Sequence, residues 1–569
     1  MYREKMIQTL KSPALTDIWV WSKKSHWSIF WMCIFNLIVS GSSLVITIAT
    51  KGLIDGATAH VGSQILFYAI VLVVSVLMIR IVSLLSGMLS VRTGAALLKD
   101  IRSMLLHKLL RKQYSSLKGY HSGELVNRMF SDVSVVRNGI LDIVPGLVSM
   151  TVSFVGAAVI LISMDWRFVA VLIAGGMLGL FLLVIFRRPM KTRHKAVQES
   201  EGRLHAVLQE TIENLRIIKA SVSEERMEHQ VAKRQEMFQK AQLKKGYFSS
   251  YISMGYNLIF QMGWLFCMLW GCMGIYQGHL TYGMLAAIIQ LVGQIQGPMA
   301  SAAGVASQIY GTISSAERLK EILDLPEEED CELVDQSVLY QQLSEIRIEN
   351  MDFSYEREEQ YVLKQVNCSI RPGDFVAVTG ISGRGKTTLF QLLLGIYQPC
   401  SGRLSFCFKS DSGVVTEEAA SRKTRALFAY VPQGNTLFSG TLRENFTMFT
   451  DTATDEEIWQ AARLACIDHL LTELEDGLDT VIGERGIGLS EGQAQRVAVA
   501  RALLSKAPIL LLDESTSALD EETEARLLEN IASLKDKTCL IVTHRAAALG
   551  ICDYKIHIDS DMGEVTVTK

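Results

Sequence analysis

Six long apolar stretches, separated by charged segments, dominate the first 325 residues and most strongly limit the folds open to this chain. Each has about the 20 residues that a helix needs to cross the hydrocarbon core of a bilayer. They lie at residues 27–48, 64–90, 141–163, 168–186, 252–276 and 283–308. Nearly half of the chain is hydrophobic (49%), which is high for a soluble enzyme. We therefore predict a membrane all-α domain of six spanning helices over residues 1–325.

Lysine and arginine predict the orientation of these helices, because positively charged loops stay in the cytoplasm. The loops at residues 92–137 and 187–245 are long and rich in both, whereas the connections at 164–167 and 276–283 are short and almost free of them. We expect both termini and both long loops on the cytoplasmic side, extending two helix pairs beyond the membrane. The first apolar run is too long for a cleavable signal, so we expect it to remain as an anchor.

The composition argues against several other classes of protein. The formal net charge is -3, so the chain lacks the excess of positive charge that is typical of nucleic-acid-binding proteins. The 10 cysteines include no CxxC pair and no Cys/His cluster, so neither a zinc site nor a disulfide framework is expected.

A glycine-rich loop in the second half carries the clearest chemical signal. Residues 380–387 read GISGRGKT and fit G-x-x-x-x-G-K-[ST], between a buried-strand run (FVAVT) and an amphipathic helical run. This strand–loop–helix order lets backbone N–H groups and a helix N-terminus hold phosphates. Lys386 is expected to reach the β- and γ-phosphates and Thr387 to bind Mg²⁺. The pattern predicts an α/β P-loop ATPase domain, which we place at residues 340–569.

Two more apolar strand runs end in polar side chains. PILLLDE ends in Asp513 and Glu514, and CLIVTH ends in His544. Asp513 is suited to hold the metal, through water, and Glu514 to act as the general base on an attacking water. His544 is a candidate for contacting the γ-phosphate and orienting that water.

The segment LSEGQ at residues 489–493, followed by QRVAVARAL, decides the class: the chain resembles the nucleotide-binding domain of ABC transporters. The resemblance implies that Tyr355 in MDFSY stacks on adenine and that Gln433 in YVPQG binds Mg²⁺ and senses the membrane domain. It also assigns SALD, ending at Asp520, to the D-loop. The implied nucleotide-binding residues are Tyr355, Gly380, Ile381, Ser382, Gly383, Arg384, Gly385, Lys386, Thr387, Thr388, Gln433, Ser490, Gly492, Gln493 and Asp520. The implied catalytic residues are Lys386, Glu514 and His544, and the implied metal ligands are Thr387, Gln433 and Asp513.

The first half resembles the exporters of the same family. Their two intracellular loops are similar to GYHSGELVNRMFSDVSVVRNGI and LQETIENLRIIKASVSEERM. Their sixth span is similar to GPMASAAGVASQIYGTISSAERLKEIL, and the segment that touches these loops is similar to TVIGERG. The resemblance implies an exporter-type half-transporter in the cell (plasma or inner) membrane of a bacterium. It implies ATP and Mg²⁺ as cofactors, and a dimer in which Ser490 and Gly492 of one chain face the ATP of the other. Intact motifs favour a homodimer, with a heterodimer as the alternative.

The chain departs from the family pattern at three places. Glu491 stands in the signature where glycine is usual, which questions full activity of the site it completes. Residues 401–418 lack the usual LDG pattern, and the chain ends at Lys569 without the customary helical tail. We expect the last two to affect only surface structure.

Polar residues in three spans bear on the cargo. The first has Asn36, Ser40, Ser43, Thr47 and Thr50 on one helix face, the sixth has Gln290, Gln294, Gly297, Ser301, Gly304 and Gln308, and the fifth adds Asn257, Gln261 and Trp264. Such residues either line a cavity or pack helices together. Arg80 is the one charge deep in a span, where it snorkels, pairs with Asp142 or meets cargo. A neutral stripe favours an uncharged or amphipathic cargo, such as a peptide, drug or lipid. Import on the same fold and an ATP-gated channel or sensor remain alternatives to export.

Overall fold

A computed structural model describes residues 14–331, 334–355, 361–381, 383–409, 414–434, 436–450, 453–483, 488–534, 536–559 and 565–568. The chain divides into two compact units. The first, here called the helical unit, comprises the chain up to Leu109 together with His121–Asp324. The second, the α/β unit, comprises Leu110–Tyr120 together with Leu325–Lys569. The α/β unit is thus assembled from two separate pieces of chain.

The helices of the helical unit include six that have more than 30 residues each. In chain order the unit contains α1 (Ala14–Trp21), α2 (His26–Thr58), α3 (Gly62–Leu109), α5 (Ser122–Asn127), a π-helical turn (Arg128–Asp132), α6 (Val133–Met164), α7 (Trp166–Glu213), α8 (Leu215–Ala220), α9 (Glu224–Tyr276) and α10 (Tyr282–Leu323). The label α4 belongs to Tyr114–Leu117, in the α/β unit. Each predicted span lies inside one of the six long helices.

The six long helices differ in their hydropathy along the chain. Among the described residues, four have the length and composition to cross a membrane, namely α2, α3, α6 with the helical turns before it, and α9. α7 also begins with an apolar stretch, described over Trp166–Gly179, and its sequence stays apolar as far as residue 186. In α10 the glutamines and glycines that form the polar stripe lower the mean hydropathy.

The two short connections between long helices have side-chain caps. Asp165 accepts a hydrogen bond from the backbone N–H of Arg167 at the start of α7 (3.0 Å), and Thr281 accepts one from Met284 at the start of α10 (3.1 Å). These bonds satisfy N–H groups that the first helical turn leaves without partners. Where α10 begins, a side chain at Gly283 would also lie 2.3 Å from the carbonyl oxygen of Lys51.

Much of the polar stripe joins helices to one another. The amide nitrogen of Gln294 in α10 donates to the hydroxyls of Ser43 (3.2 Å) and Thr47 (3.1 Å) in α2. Ser40 in α2 is hydrogen bonded to Ser149 in α6 (2.8 Å). For these residues the structure favours the helix-packing interpretation over a cavity lining.

Of the alternatives for Arg80, pairing with Asp142 is absent among the described contacts. Arg80 is exposed on α3, and Asp142 instead accepts a long hydrogen bond from Gln308 (3.4 Å). Asp142 lies at the start of the third predicted span, where its described hydrogen bond joins α6 to α10.

A buried charge cluster lies where α6 begins. Asp132 is buried and accepts hydrogen bonds from Ser315 (2.9 Å) and from the guanidinium of Arg318 (3.0 Å to Oδ2) in α10. The neighbouring Arg128 donates to the carbonyl oxygen of Arg318 and to Glu321. The π-helical turn therefore presents both charges to the same stretch of α10.

The α/β unit contains two larger sheets and the helices that cover them. Its helices are α4, α11 (Gln336–Gln342), α12 (Lys386–Leu393), α13 (Arg422–Arg425), α14 (Leu442–Thr447), α15 (Asp455–Leu464), α16 (Asp468–Glu473), α17 (Glu491–Leu504), α18 (Glu521–Ala532) and α19 (Ala546–Leu549). Its strands are β1 (Leu343–Phe353), β2 (Leu363–Ile370), β3 (Phe375–Gly380), β4 (Ser401–Lys409), β5 (Val415–Ala419), β6 (Phe428–Val431), β7 (Gly440–Thr441), β8 (Val481–Ile482), β9 (Ile509–Asp513), β10 (Thr538–Val542), β11 (Tyr554–Ile558) and β12 (Val565–Thr568).

The two larger sheets differ in strand direction. The six-stranded sheet has the order β12-β11-β3-β10-β9-β6 and is parallel except for the β11–β12 pair. Strands β3, β9 and β10 are mostly apolar and are buried along their whole length, as expected for parallel strands covered on both faces. The four-stranded antiparallel sheet has the order β2-β1-β4-β5. The described residues of the atypical stretch 401–418 form β4, which lies between β1 and β5 and is buried in its second half, and most of the edge strand β5.

Candidate nucleotide site

Parallel strands bring the predicted site residues to one edge of the six-stranded sheet. Val542 of β10 is in register with Val378 of β3 and with Asp513 of β9. Strand β6 lies next to β9, so the residues that follow β6 reach the same edge. This edge, at the carboxyl ends of the strands, is where open α/β sheets bind ligands.

The phosphate loop has a backbone that requires glycine. Gly380, Gly383 and Gly385 have φ angles of 144°, 80° and 103°. A side chain at Gly380 would also lie 2.7 Å from the carbonyl oxygen of Ile558. Ile381 and Arg384 are exposed along the loop, and Ser382 lies outside the described residues. Because the glycines permit this turn, α12 begins at Lys386 with its N-terminus facing the loop.

The three predicted catalytic residues lie together. The ammonium of Lys386 is almost fully buried and donates to the carbonyl oxygen of Gly380 (2.8 Å). It is also 3.2 Å from Nε2 of His544 and 3.7 Å from a carboxylate oxygen of Glu514. Lys386 therefore has three protein partners at the place where the motif predicts phosphate.

The backbone at Glu514 has a strained conformation. Its φ is 47°, in the left-handed region that residues other than glycine seldom adopt. The turn directs the carboxylate toward Lys386, and the amide nitrogen of Gln433 donates to its second oxygen (2.8 Å). Strain of this kind concentrates at functional sites.

Asp513 ends β9 and is 1% exposed. Its carboxylate is hydrogen bonded by Thr387, and the hydroxyl of Tyr430 donates to Oδ2 (3.2 Å). Burial raises the pKa of Asp513, while the bonds from Thr387 and Tyr430 lower it in part. Tyr430, at the end of β6, begins the YVPQG motif, but no pattern in the sequence indicates its contact with Asp513, which is 83 residues away.

Tyr355, the predicted adenine-stacking residue, is attached to the phosphate-loop helix. Its hydroxyl is hydrogen bonded to that of Thr388 (2.9 Å), one residue after Thr387. Phe353 and Tyr397 surround its ring at steep interplanar angles, with centroids 5.0 and 5.4 Å away. Tyr355 therefore has a defined position relative to the phosphate loop.

The signature residues form a separate group. Ser490 caps α17: its side chain accepts from the N–H of Gln493, and its own N–H donates to the Gln493 side chain (2.8 Å). Asp520 caps α18 by accepting from the N–H of Thr523 (2.9 Å), a bond that lowers its pKa. A side chain at Gly492 would lie 2.9 Å from the carbonyl oxygen of Ala518, so glycine is needed for this approach. In the described part of the chain, no hydrogen bond joins this group to the phosphate loop.

Glu491 is exposed in the first turn of α17. A carboxylate near a helix N-terminus stabilises the helix through its dipole. The departure from the family glycine is therefore favourable for α17 within one chain. The segment predicted to touch the intracellular loops, residues 480–486, is described only up to residue 483.

Known proteins match the chain in both units. Residues 29–299 match the ABC transporter transmembrane region and residues 363–517 match the ABC transporter family. An ATP-dependent lipid A-core flippase of Pseudomonas fluorescens is 30% identical over 82% of this chain and 77% of its own length. An uncharacterized ABC transporter ATP-binding protein of Bacillus subtilis is 31% identical over 78% of this chain and 76% of its own. A multidrug resistance ABC transporter ATP-binding and permease protein of Lactococcus lactis is 27% identical, with shares of 83% and 79%.

A solved structure confirms the fold. A bacterial Atm1-family ABC exporter with ATP bound superposes with a TM-score of 0.79, covering 95% of this chain and 94% of the other at 22% identity. Together with the sequence matches, this fold implies a membrane protein that couples ATP hydrolysis to transport. The chain belongs to the ABC transporter family and has the architecture of an exporter half-transporter, with one helical transmembrane region fused to one P-loop ATPase domain.

Proposed function

We propose that this protein exports an amphipathic or largely neutral molecule, of the lipid, drug or peptide class, as a homodimer in the cell membrane. The observation that carries the proposal is the convergence of Lys386, Glu514 and His544 at the end of the parallel sheet. We assign residues 1–325 to the membrane domain, with both termini and both long loops cytoplasmic, and residues 340–569 to the ATPase domain.

The contacts of Lys386 suggest how it binds nucleotide. Its ammonium contacts a carbonyl oxygen, an imidazole nitrogen and one carboxylate, which balances its charge. The β- and γ-phosphates would replace these partners with stronger ones, so the ammonium needs little rearrangement. Glu514, released from Lys386, is placed to accept a proton from the attacking water, with His544 beside the γ-phosphate.

The residues at Asp513 fit a Mg²⁺ ion. The Thr387 hydroxyl, the Asp513 carboxylate and the Gln433 amide are oxygen donors of the kind Mg²⁺ prefers. A carboxylate as deeply buried as Asp513 also gains from a nearby cation. Bound there with ATP, Mg²⁺ would neutralise charge on the β- and γ-phosphates.

A second copy of the chain would complete the site. Ser490, Gly492, Gln493 and Asp520 belong to the active site by resemblance, yet none of their hydrogen bonds among the described residues reaches the phosphate loop. Two chains placed head to tail would bring this group of one chain to the phosphate loop of the other. The two sites would then be equivalent.

The neutral character of the polar stripe and the names of the relatives support an amphipathic cargo. Part of the stripe is used in packing, which leaves residues such as Ser301 and Gly304 exposed on α10. They have no charge to bind an ionic cargo. Relatives of the chain are named for a lipid A-core and for multidrug resistance, and both names agree with this class.

Transport assays with two membrane orientations test the proposal. Inside-out vesicles should accumulate fluorescent lipid or drug probes on addition of ATP, and vesicles with the Glu514→Gln variant should not. ATP-dependent uptake into intact cells would instead indicate an importer. An ATP-dependent ion conductance without probe accumulation would indicate a channel.

A further inference from the structure

The segment Leu110–Tyr120, here called the docking segment, is part of the α/β unit although the chain on both sides of it belongs to the helical unit. Lys112 donates to the carbonyl oxygen of Leu325 (2.6 Å) and to Glu327 (3.0 Å). The N–H of Gln113 donates to the carbonyl oxygen of Pro326 (3.0 Å). The segment is therefore held at its start by the linker that leads into the ATPase domain.

The other end of the docking segment reaches the predicted adenine platform. The ammonium of Lys118 lies 3.5 Å from the centroid of the Tyr355 ring and 5.8 Å from that of Tyr397. A cation so placed over an aromatic face is attracted by the quadrupole of the ring. Thr388 holds the Tyr355 hydroxyl, so the ring cannot move away without breaking that bond.

A base cannot stack on a ring face that a cation already covers at 3.5 Å. We propose that Lys118 competes with adenine for the face of Tyr355, so that nucleotide binding displaces the lysine and frees this end of the docking segment. The proposal rests on the assignment of Tyr355 as the adenine platform. It makes Lys118 a determinant of nucleotide affinity that acts through the base.

Relative strength decides the outcome of the competition. Stacking of a base on an aromatic ring is stronger than a cation–π contact with an exposed lysine. Adenine should therefore win, and Lys118 should weaken binding only by the strength of its own contact, about two- to fivefold. By thermodynamic reciprocity, bound nucleotide should weaken the contact between Lys118 and the Tyr355 ring by the same factor.

Variants of the full-length protein, with ADP and pyrophosphate as ligands, test the competition. Lys118→Met keeps the length of the side chain but removes the charge, and we expect about two- to fivefold tighter ADP binding. Pyrophosphate has no base, so its affinity should be unchanged. Lys118→Arg should bind ADP more weakly than wild type, because guanidinium stacks better on aromatic rings. Lys409→Met, at an exposed lysine on β4, is the control and should change neither affinity.

The results separate this proposal from the one on which it rests. Tyr355→Ala should weaken ADP binding but not pyrophosphate binding, and Lys118→Met should then have no further effect. Unchanged ADP affinity in Tyr355→Ala would reject the adenine platform itself. If Tyr355→Ala weakens ADP binding while Lys118→Met leaves it unchanged or weakens it, the platform stands and the competition is rejected. Melting temperatures of all variants exclude misfolding as a cause.

Discussion

At the scale of single residues, the site is shaped by side chains that hold one another before nucleotide arrives. Glu514 has a φ of 47° and shares its carboxylate between Gln433 and Lys386. Such a backbone costs about 1–3 kcal/mol and persists only where the surroundings enforce it. The parallel strands and these two partners provide that enforcement.

Replacing Glu514 by glutamine should separate nucleotide binding from hydrolysis. The amide keeps the shape of the side chain but accepts no proton from water, so we expect ATP hydrolysis to fall by about 10²–10⁴-fold. ATP affinity should be retained, and ATP-bound dimers should accumulate in size-exclusion chromatography. Glu522→Gln, in the first turn of α18, is the matched control. Rapid turnover by Glu514→Gln would show that another group is the base.

Tyr430→Phe should raise the Mg²⁺ concentration needed for tight nucleotide binding. The change removes only the hydroxyl that donates to Asp513 (3.2 Å), and a hydrogen bond of about 1 kcal/mol corresponds to about fivefold. Nucleotide affinity measured in EDTA should stay the same. Tyr340→Phe removes a hydroxyl at the opposite end of the strands, where it bonds to Thr538, and should leave the Mg²⁺ dependence unaltered. Equal shifts in both variants would argue against a role for Tyr430 at Asp513.

At the scale of helices and strands, hydrogen bonds between helices account for part of the polar stripe. Gln294 joins α10 to α2, and Ser40 joins α2 to α6. These bonds form where hydrocarbon leaves polar groups few other partners. They tie the first and sixth long helices together within one chain.

Gln294→Leu should lower stability rather than change cargo. It removes bonds to Ser43 and Thr47, and interhelical hydrogen bonds in membrane proteins average about 0.6 kcal/mol, with a maximum near 1.7. We expect a lower melting temperature in detergent and an unchanged ranking of transported probes. Gln261→Leu, at an exposed stripe residue of α9, should leave the melting temperature unaltered. A changed probe ranking with unchanged stability would place Gln294 at the cargo.

The same elements show what the sequence could and could not predict. The phosphate loop is a local pattern: its glycines lie within eight consecutive residues, and its strand and helix can be predicted from the apolar runs directly before and after them. The contact of Tyr430 with Asp513 joins strands far apart in sequence and has no local signal. The periodicity of the stripe on α2 does not reveal its role, because hydroxyl groups on one helix face can either pack against another helix or line a cavity. Only the facing residue, Gln294, distinguishes the two.

At the scale of the whole molecule, the nucleotide site is divided between two groups of residues. The phosphate loop, Asp513, Glu514 and His544 are one group, and the caps of α17 and α18 are the other. Arg501 of α17 also holds Thr436, three residues after Gln433 (2.9 Å). Movement of α17 would therefore reach the loop that contains Gln433.

Mixing two inactive chains should restore ATP hydrolysis if the protein is a homodimer with shared sites. Lys386→Ala damages the phosphate loop and Ser490→Arg the signature, so a mixed dimer has one site with both lesions and one with neither. Coexpression in equal amounts should recover up to about a quarter of wild-type activity, since half of the dimers are mixed. Each variant alone should be inactive. Mixed dimers isolated with two affinity tags but lacking activity would contradict the shared site.

The docking segment also has a consequence for the order in which the protein is made. Leu110–Tyr120 leaves the ribosome some 200 residues before its partners Leu325 and Tyr355. At about 5–20 residues per second, that interval is roughly 10–40 s. During that time Lys112 and Lys118 exist without the groups that will hold them, while the chain between is still being inserted. The ATPase domain can therefore complete its fold only late in biosynthesis, when the last part of the chain has been made and can contact the docking segment.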